Sequence, residues 1–460
     1  MKRSDRFGLS KEYAGAVLGD ARRQARLKLL ADVLAAKPGA SFPVATKTDA
    51  ALEAAYRFLG NDAVSMDGIL VGHYAQTVER AAQEDVVLAL HDTSEFRFPG
   101  ESDRGLGPLR GHGQGFFGHF SLLVTSNELR RPLGVLNVEN IVRDKKPRGK
   151  PKGSGQTLEA TRWKRAVAAV EERIAGKTEL IHVMDREGDS YDLWAELSKA
   201  GHRFVIRNSR ERLLEDGVSF SDVIANGETI VEREVYLTRR KEQKIPFNRK
   251  RHPARAGRLA RLALSAQTIE LQRPQACLKT LPATLTLNFV HVREVETNGS
   301  EPPVEWTLAT TESIATAADV QRIVDVYRAR WVIEEYFKSL KTGCAFEKRQ
   351  LESERSIFNA LAIFTPIAWR LLLLRTLARD HSDAPATEAL TPTQLRILAV
   401  KARQKLPPNP TVREAMLAVA GLGGHIKNNG DPGWIVLGRG LEHLLLLEEG
   451  WLAAMKSDQS

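Results

Sequence analysis

The sequence predicts a mixed α/β fold that carries a β-rich insertion and is flanked by helical segments at both ends. Between residues 86 and 207, short apolar runs alternate with amphipathic stretches, the pattern of strands interleaved with helices. From about 208 to 311, apolar and polar residues alternate with period two and the pattern reads as strands only. Residues 1–65 and those beyond 342 read as helices punctuated by Pro and Gly.

At the N-terminus, Asp20 is placed to cap a helix running ARRQARLKLLADVLAA, which Pro38-Gly39 ends. Leu27, Leu30, Ala31 and Leu34 form one face, and Arg22, Arg23, Arg26 and Lys28 supply charge elsewhere. A second short helix, roughly 50–59, follows Thr48-Asp49 and carries Tyr56 and Arg57. Such a pair suits DNA binding and an ordinary helical cap equally. VVLALH (86–91) is a buried-type strand ending at Asp92-Thr93-Ser94; HFSLLVTS (119–126) and PLGVLNVENI (132–141) are the next two. A basic Pro/Gly loop, RDKKPRGKPKG, leads to a helix at about 157–175. ELIHVM (179–184) ends at Asp185, and a helix near 190–200 precedes the strand RFVIR (203–207).

The insertion strands are TIVEREVYL, LARLALSAQTIEL, ATLTLNFVHVREV and EWTLATT. Within it, segment 238–262 holds ten lysines and arginines and one acid, Glu242. A run this long and single-signed makes nucleic-acid contact competitive with a solvated loop. A helix is expected over 316–342, then others at 356–379, 392–405, 411–421 and 436–455. Thr391-Pro392 opens one of these and Gly423-Gly424 follows the end of another.

At 460 residues the chain has room for two or three domains. Its 42% apolar and 27% charged content is that of an ordinary soluble protein, and its net charge of +10 points to a polyanionic partner, most simply nucleic acid. Two cysteines, Cys277 and Cys344, exclude a cysteine metal cage and a disulfide framework. MKRSDRFGLSKEY is not a secretory signal. The most apolar stretch, 359–375, is short for a bilayer span and is interrupted by Pro366 and Arg370, so it reads as a core helix. A cytoplasmic protein with no membrane partner is expected.

The stretch YRARWVIEEYFKSLK (327–341) is the most informative in the chain. At about 100° per residue, Tyr327, Arg330, Glu334 and Lys341 fall within roughly 60° on one helix face. One carboxylate between two cations and a phenol suits a metal ligand beside groups that grip a phosphate. Taken alone, Arg330 and Glu334 read more readily as an i,i+4 surface ion pair. Asp92 and Asp185 supply possible companions, because a carboxylate at the end of a buried strand is seldom there for packing. The alternatives are a turn for Asp92 and a helix N-cap for Asp185. Clustered carboxylates without a His/Cys cage suit Mg²⁺ or Mn²⁺, two of which serve phosphodiester transfer.

No GxxxxGK[ST] loop or GxSxG elbow occurs. The run GHGQGFFGHF, with His112 and His119, reads as a strand-entry loop with a core histidine. Trp306 reads by default as a sheet-face tryptophan, although stacking on an unpaired base is open to it.

In the order strand–Asp92, strand–Asp185, β-rich insertion, helix–Glu334, the chain resembles the DDE transposases, whose core is ribonuclease H-like. The spacing Tyr-x2-Arg-x3-Glu-x6-Lys at 327–341 is the signature of their insertion-sequence-four group. LGDARRQARL (18–27), AAYRF (54–58), the DT at 92–93, DRE (185–187), FVIR (204–207), EWTLATTE (305–312), RWVIEEYFKSLKTG (330–343) and GLGGHI (421–426) extend the likeness over most of the chain.

The resemblance implies a helical DNA-binding domain over 1–65, a ribonuclease H-like catalytic domain over 66–375 with its insertion at about 208–311, and a helical dimerisation region over 376–460. It implies Asp92, Asp185 and Glu334 as ligands of two Mg²⁺ or Mn²⁺ ions, and Tyr327, Arg330 and Lys341 as phosphate contacts. It implies Trp306 as the stacking partner of a flipped base during hairpin formation, and Arg26, Lys37 and Arg57 on the DNA-binding face. Double-stranded DNA, as transposon ends and target, is the implied partner of a homodimer on paired ends, at the nucleoid of a bacterial cytoplasm. The rivals are a metal-dependent nuclease that does not join ends and a non-catalytic DNA-binding regulator.

Overall fold

The computed structural model describes residues 9, 11–100, 103–110, 113–144, 158–237, 239, 242, 254–295, 303–380, 382–402, 405–426 and 431–457. His112, the greater part of the basic loop after residue 143 and most of segment 238–262 lie outside these. The chain forms two compact units, one of Met1–Glu179 with Trp331–Ser460 and one of Leu180–Arg330.

The first unit begins with helices α1 (Ala21–Ala36), α2 (Phe42–Thr46), α3 (Asp49–Leu59) and α4 (Met66–Ala81). Asp20 caps α1 as expected, accepting the Arg22 N–H at 2.7 Å, and Thr48 caps α3. Helix α4 went unread in the sequence because its buried His73 and Thr77 break the apolar face. His73 is held on both sides. Its Nε2 accepts the Val135 N–H at 3.0 Å, so Nδ1 donates to Glu12, 2.5 Å away, and Arg80 binds the same carboxylate at 2.7 Å.

Strands β1 (Val86–Phe98), β2 (Gly107–Pro108), β3 (Gln114–Thr125) and β4 (Pro132–Ile141) follow, all antiparallel, with β3 between β1 and β4. The expected end of β1 at Asp92 is corrected: Asp92 lies in mid-strand, opposite Phe120. Asp-Thr-Ser is good turn chemistry, but Ser94–Phe98 finds cross-strand partners on β3 that a one-dimensional reading cannot see.

Helix α5 (Leu158–Ile174) covers one face of these strands, and the C-terminal helices cover the other. The apolar stretch around Pro366 is a core helix, as expected. It spans Glu354–Asp380, and the part long and apolar enough to cross a membrane is 89% buried. Helices follow at Pro392–Lys401, Val412–Leu422 and Trp434–Ser457, the first two opened by Thr capping boxes. Helix α1 packs against Glu354–Asp380 and against Trp434–Ser457, so the N- and C-terminal helices share this unit.

In the second unit the strand order is β5 (Glu179–Met184), β6 (Arg203–Asn208), β10 (Glu305–Thr310), β9 (Thr284–Glu294), β8 (Arg258–Gln272) and β7 (Thr229–Leu237). β5 and β6 are parallel and the remaining pairs antiparallel. Helices α6 (Tyr191–Lys199) and α7 (Phe220–Ala225) lie on the Phe289 side, where Trp194 and Phe220 meet that ring edge-on. The reading of 208–311 as strands only missed α7, which at six residues is too short to impose a helical period.

Helix α8 (Ala317–Ala329) crosses β6, β9, β8 and β7. It opens with a Thr316/Asp319 capping box. Glu312 binds Arg203 at 2.6 Å and Arg322 at 2.9 Å, while Asp325 takes a two-pronged grip from Arg233 at 3.0 Å.

Candidate active site

The single helix expected over 316–342 is instead three pieces. Helix α8 ends at Ala329 with Arg330 as its C-cap, helix α9 runs Trp331–Lys338, and a π-helical turn occupies Ser339–Gly343. The Cys344 N–H reaches back to the Ser339 carbonyl at 2.8 Å, and the Ser339 hydroxyl donates to the Ala368 carbonyl at 2.8 Å. A wider turn of this kind recurs at functional sites, and it removes Lys341 from the angular position that 100° per residue assigns it. Tyr327 and Arg330 thus close the second unit, and Glu334 and Lys341 belong to the first. All four are half-buried.

In the first unit, Asp92 and Phe120 are cross-strand partners and so point to the same face. Tyr336 and Phe337 of α9 pack their rings on Phe120 at 5.6 and 5.5 Å, and α9 also touches β1. Asp92 and the helix bearing Glu334 therefore share one side of the strands. Lys341 joins them from the π turn. Its ammonium donates to the Glu95 carbonyl, lies 4.8 Å from the centre of the Phe96 ring, and faces Glu347 at 3.8 Å. Burial holds its pKa below the usual lysine range, against the pull of Glu347 and Glu95. Asp92 Oδ1 accepts the Thr93 N–H at 2.7 Å.

On the opposite face, Thr93 and His119 are partners, and the chain continues through hydrogen bonds to a buried arginine of α5. Arg162 Nε donates to Thr93 Oγ1 at 2.9 Å, and Thr93 Oγ1 lies 2.9 Å from His119 Nδ1. Burial, followed by the Arg162 and Arg165 cations, holds the His119 pKa well below its ordinary value. The reading of His119 as a core histidine agrees with its complete burial.

In the second unit, the parallel register Met184↔Ile206 sets Asp185 and Arg207 side by side at the ends of β5 and β6. Asp185 caps the short turn Arg186–Gly188, accepting the Glu187 N–H at 2.8 Å. The N-cap alternative is thus realised, and a carboxylate with two oxygens keeps acceptor capacity beyond one such bond. Tyr327 reaches this end of the strands from α8. Burial raises its phenol pKa; the Arg330 and Arg207 guanidiniums oppose that, Asp185 adds to it, and Arg207 is hydrogen-bonded to the phenol. Because β10 runs antiparallel to β6 with Leu308 opposite Arg207, Trp306 lies at the same end. Its indole N–H has no hydrogen-bond partner among the described residues.

Arg207, the last residue of FVIR, has no role assigned from sequence; the signal is a cation at the end of a buried strand parallel to the one preceding Asp185. Asp189 carries no sign of its burial in the sequence. It is fully buried, ion-paired with Arg212, and accepts the Ser209 N–H at 2.6 Å. Burial brings the Arg212 pKa down to about 10.

Among the N-terminal cations, Arg26 is exposed on α1, and Arg57 is exposed on α3 and 3.6 Å from Glu53. Lys37 is half-buried and donates to the Val44 carbonyl at 3.2 Å. Arg349, by contrast, is a buried cation. It donates to the carbonyls of Pro38, Ala40 and Cys344 and so ties the loop after α1 to the segment after the π turn.

Residues 8–64 match the transposase DNA-binding family, and residues 150–365 match the transposase DDE domain family. The first match spans α1 to α3. The second includes Asp185 and Glu334, and Asp92 precedes it. Among solved structures, the chain is similar to the cryo-EM structure of the piggyBac transposase synaptic complex with hairpin DNA. The identity is 9%, the TM-score 0.37, and the match covers 82% of this chain and 74% of that one. DDE transposases use divalent metal ions, and DNA is the partner of the N-terminal domain. With a transposase DNA-binding domain followed by a transposase DDE domain, the chain is a DNA transposase of the DDE type.

Proposed function

We propose that the chain is a cut-and-paste transposase of the insertion-sequence-four group, similar to the transposase of transposon five. In this reading it binds the ends of its element as a homodimer, at the nucleoid of a bacterial cytoplasm. It cuts both strands by way of a hairpin and joins the free 3′ ends to target DNA. The observation that carries the reading is the company each carboxylate keeps within its own unit. Asp92 shares a face with the Glu334 helix and has Lys341 nearby; Asp185 has Arg207, Arg330 and Tyr327.

Asp92, Asp185 and Glu334 are the proposed ligands of two Mg²⁺ or Mn²⁺ ions. The donor set fits: half-buried carboxylate oxygens suit hard cations, and none of the three is sunk in an apolar core. The chemistry such ions supply when bound is activation of a water or 3′-hydroxyl and stabilisation of the leaving oxygen. The protein's own part is orientation and charge. Lys341, Arg330 and the Tyr327 phenol hold the phosphates flanking the scissile bond, and Arg207 fixes the phenol. Trp306, whose indole N–H has no partner among the described residues, takes the flipped base. Arg26, Lys37 and Arg57 contact the element end through the N-terminal helices, and the C-terminal helices supply the dimer contact.

Asp185→Ala should retain binding to DNA from the element's ends and lose Mg²⁺-dependent cleavage; persistent cleavage would overturn the ligand assignment. Nicking by the wild type without 3′-end joining would make the protein a nuclease of the same chemistry. End binding without any cleavage would favour the regulator.

A further inference from the structure

We propose that Arg162, Thr93 and His119 are positioning residues that fix the direction in which the Asp92 carboxylate is presented. The inference rests on the reading of Asp92 as a metal ligand. Thr93 is tied at two points. Its backbone N–H donates to Asp92 Oδ1 at 2.7 Å, and its hydroxyl is held from the opposite face of the strands. Arg162 Nε can only donate, so Thr93 Oγ1 accepts from it, and the same oxygen is hydrogen-bonded to His119 Nδ1.

None of the three can readily move. Arg162 is 6% exposed and His119 fully buried. The Trp163 ring lies 5.1 Å from the Arg162 guanidinium and meets the His119 ring edge-on at 4.7 Å. His91 stacks on the far side of His119 at 6.2 Å and has its own partner in Ser121 at 2.9 Å. Buried hydrogen bonds of this sort rigidify what they touch, and here they hold Thr93 Oγ1 from two sides while His119 Nε2 has no partner among the described residues. What they touch here is the peptide whose N–H orients Asp92. Outer-shell groups of this kind are commonly worth 10- to 100-fold in metal affinity.

The test is Mn²⁺ binding to the full-length protein, followed by electron paramagnetic resonance of the free ion, with thermal melting in parallel. Thr93→Val keeps the shape and removes the hydroxyl; it should weaken Mn²⁺ binding by about 10- to 100-fold. Thr93→Ser should bind like wild type. If Thr93→Val fails to fold, Arg162→Lys, which keeps the charge and lacks the Nε donor, should show the same weakening. Wild-type affinity in the folded valine or lysine variant, or a serine variant as weak as the valine one, would overturn the proposal. Asp92→Asn separates the two layers. If it binds Mn²⁺ as wild type does, the ligand assignment fails; if it is defective while Thr93→Val is not, only the positioning role fails.

Discussion

At the scale of single residues, the chain is organised by charges that the fold has partly or wholly removed from water. Asp189 and Arg212 form one deeply buried pair, with the guanidinium also 4.1 Å from the centre of the Trp194 ring. Removing one partner leaves the other buried and uncompensated. Asp189→Asn should therefore destabilise the Leu180–Arg330 unit by about 3–5 kcal/mol, read by urea denaturation. A loss well under 1 kcal/mol would show that Arg212 can turn to solvent. This pair was invisible in the sequence because Asp189 in DREGDSYDL offers no sign of which of its acids is buried. Asp185 was legible for the opposite reason: an apolar strand ends immediately before it, and that boundary is written in one dimension. Arg207 stands between the two cases, visible as a cation closing an apolar strand but meaningful only once β5 and β6 are known to be parallel neighbours.

At the scale of elements, periodicity located most strands and helices, and it failed where partners outside the element decide. β1 continues through Asp92 because β3 pairs with it, and the last turn of the stretch 316–342 widens because the Cys344 N–H bonds to the Ser339 carbonyl in a π turn packed on the Glu354–Asp380 helix. The shared face predicted for Tyr327, Arg330, Glu334 and Lys341 was a property of an ideal helix. The four residue types were legible, but their arrangement was not. The start of α8 follows local chemistry alone, and its consequence is measurable. Thr316 accepts the Asp319 N–H and Asp319 accepts the Thr316 N–H, both at 3.1 Å. Thr316→Ala should cost about 1 kcal/mol. Urea denaturation followed by Trp fluorescence reads it, and Thr316→Ser should restore most of the loss.

At the scale of the whole molecule, buried histidines make stability depend on pH. His73 and His119 are both held below their ordinary pKa, chiefly by burial, so each is favoured neutral in the fold. The Glu12 pKa is lowered as well: burial alone would raise it, but His73 and Arg80 together outweigh that. A depressed folded-state pKa contributes stability that is present above the unfolded value and lost as pH falls. The loss should therefore begin near pH 6.5, the ordinary histidine value, with up to about 1.4 kcal/mol per pH unit for each histidine. Glu12 should add to it below its own ordinary value of 4.5. Urea midpoints of the full-length chain between pH 7.5 and 5 measure this; a flat profile would mean that these groups open to water before the unit unfolds. Net charge, in contrast, was legible from composition, and it indicated the DNA partner without indicating where the DNA lies.

The unit that holds Asp92 and Glu334 is assembled from the two ends of the chain, with residues 180–330 inserted between them. During synthesis the inserted unit is complete while its host is not. A nascent chain halted at residue 330 already holds the transposase DNA-binding segment, Asp92 and Asp185, but it lacks Glu334, Lys341 and the C-terminal helices against which α1 packs. Contacts so distant in sequence form late. A product truncated at residue 330 should thus lack the Mg²⁺-dependent cleavage proposed for the full chain, because the proposed ligand Glu334 is missing from it.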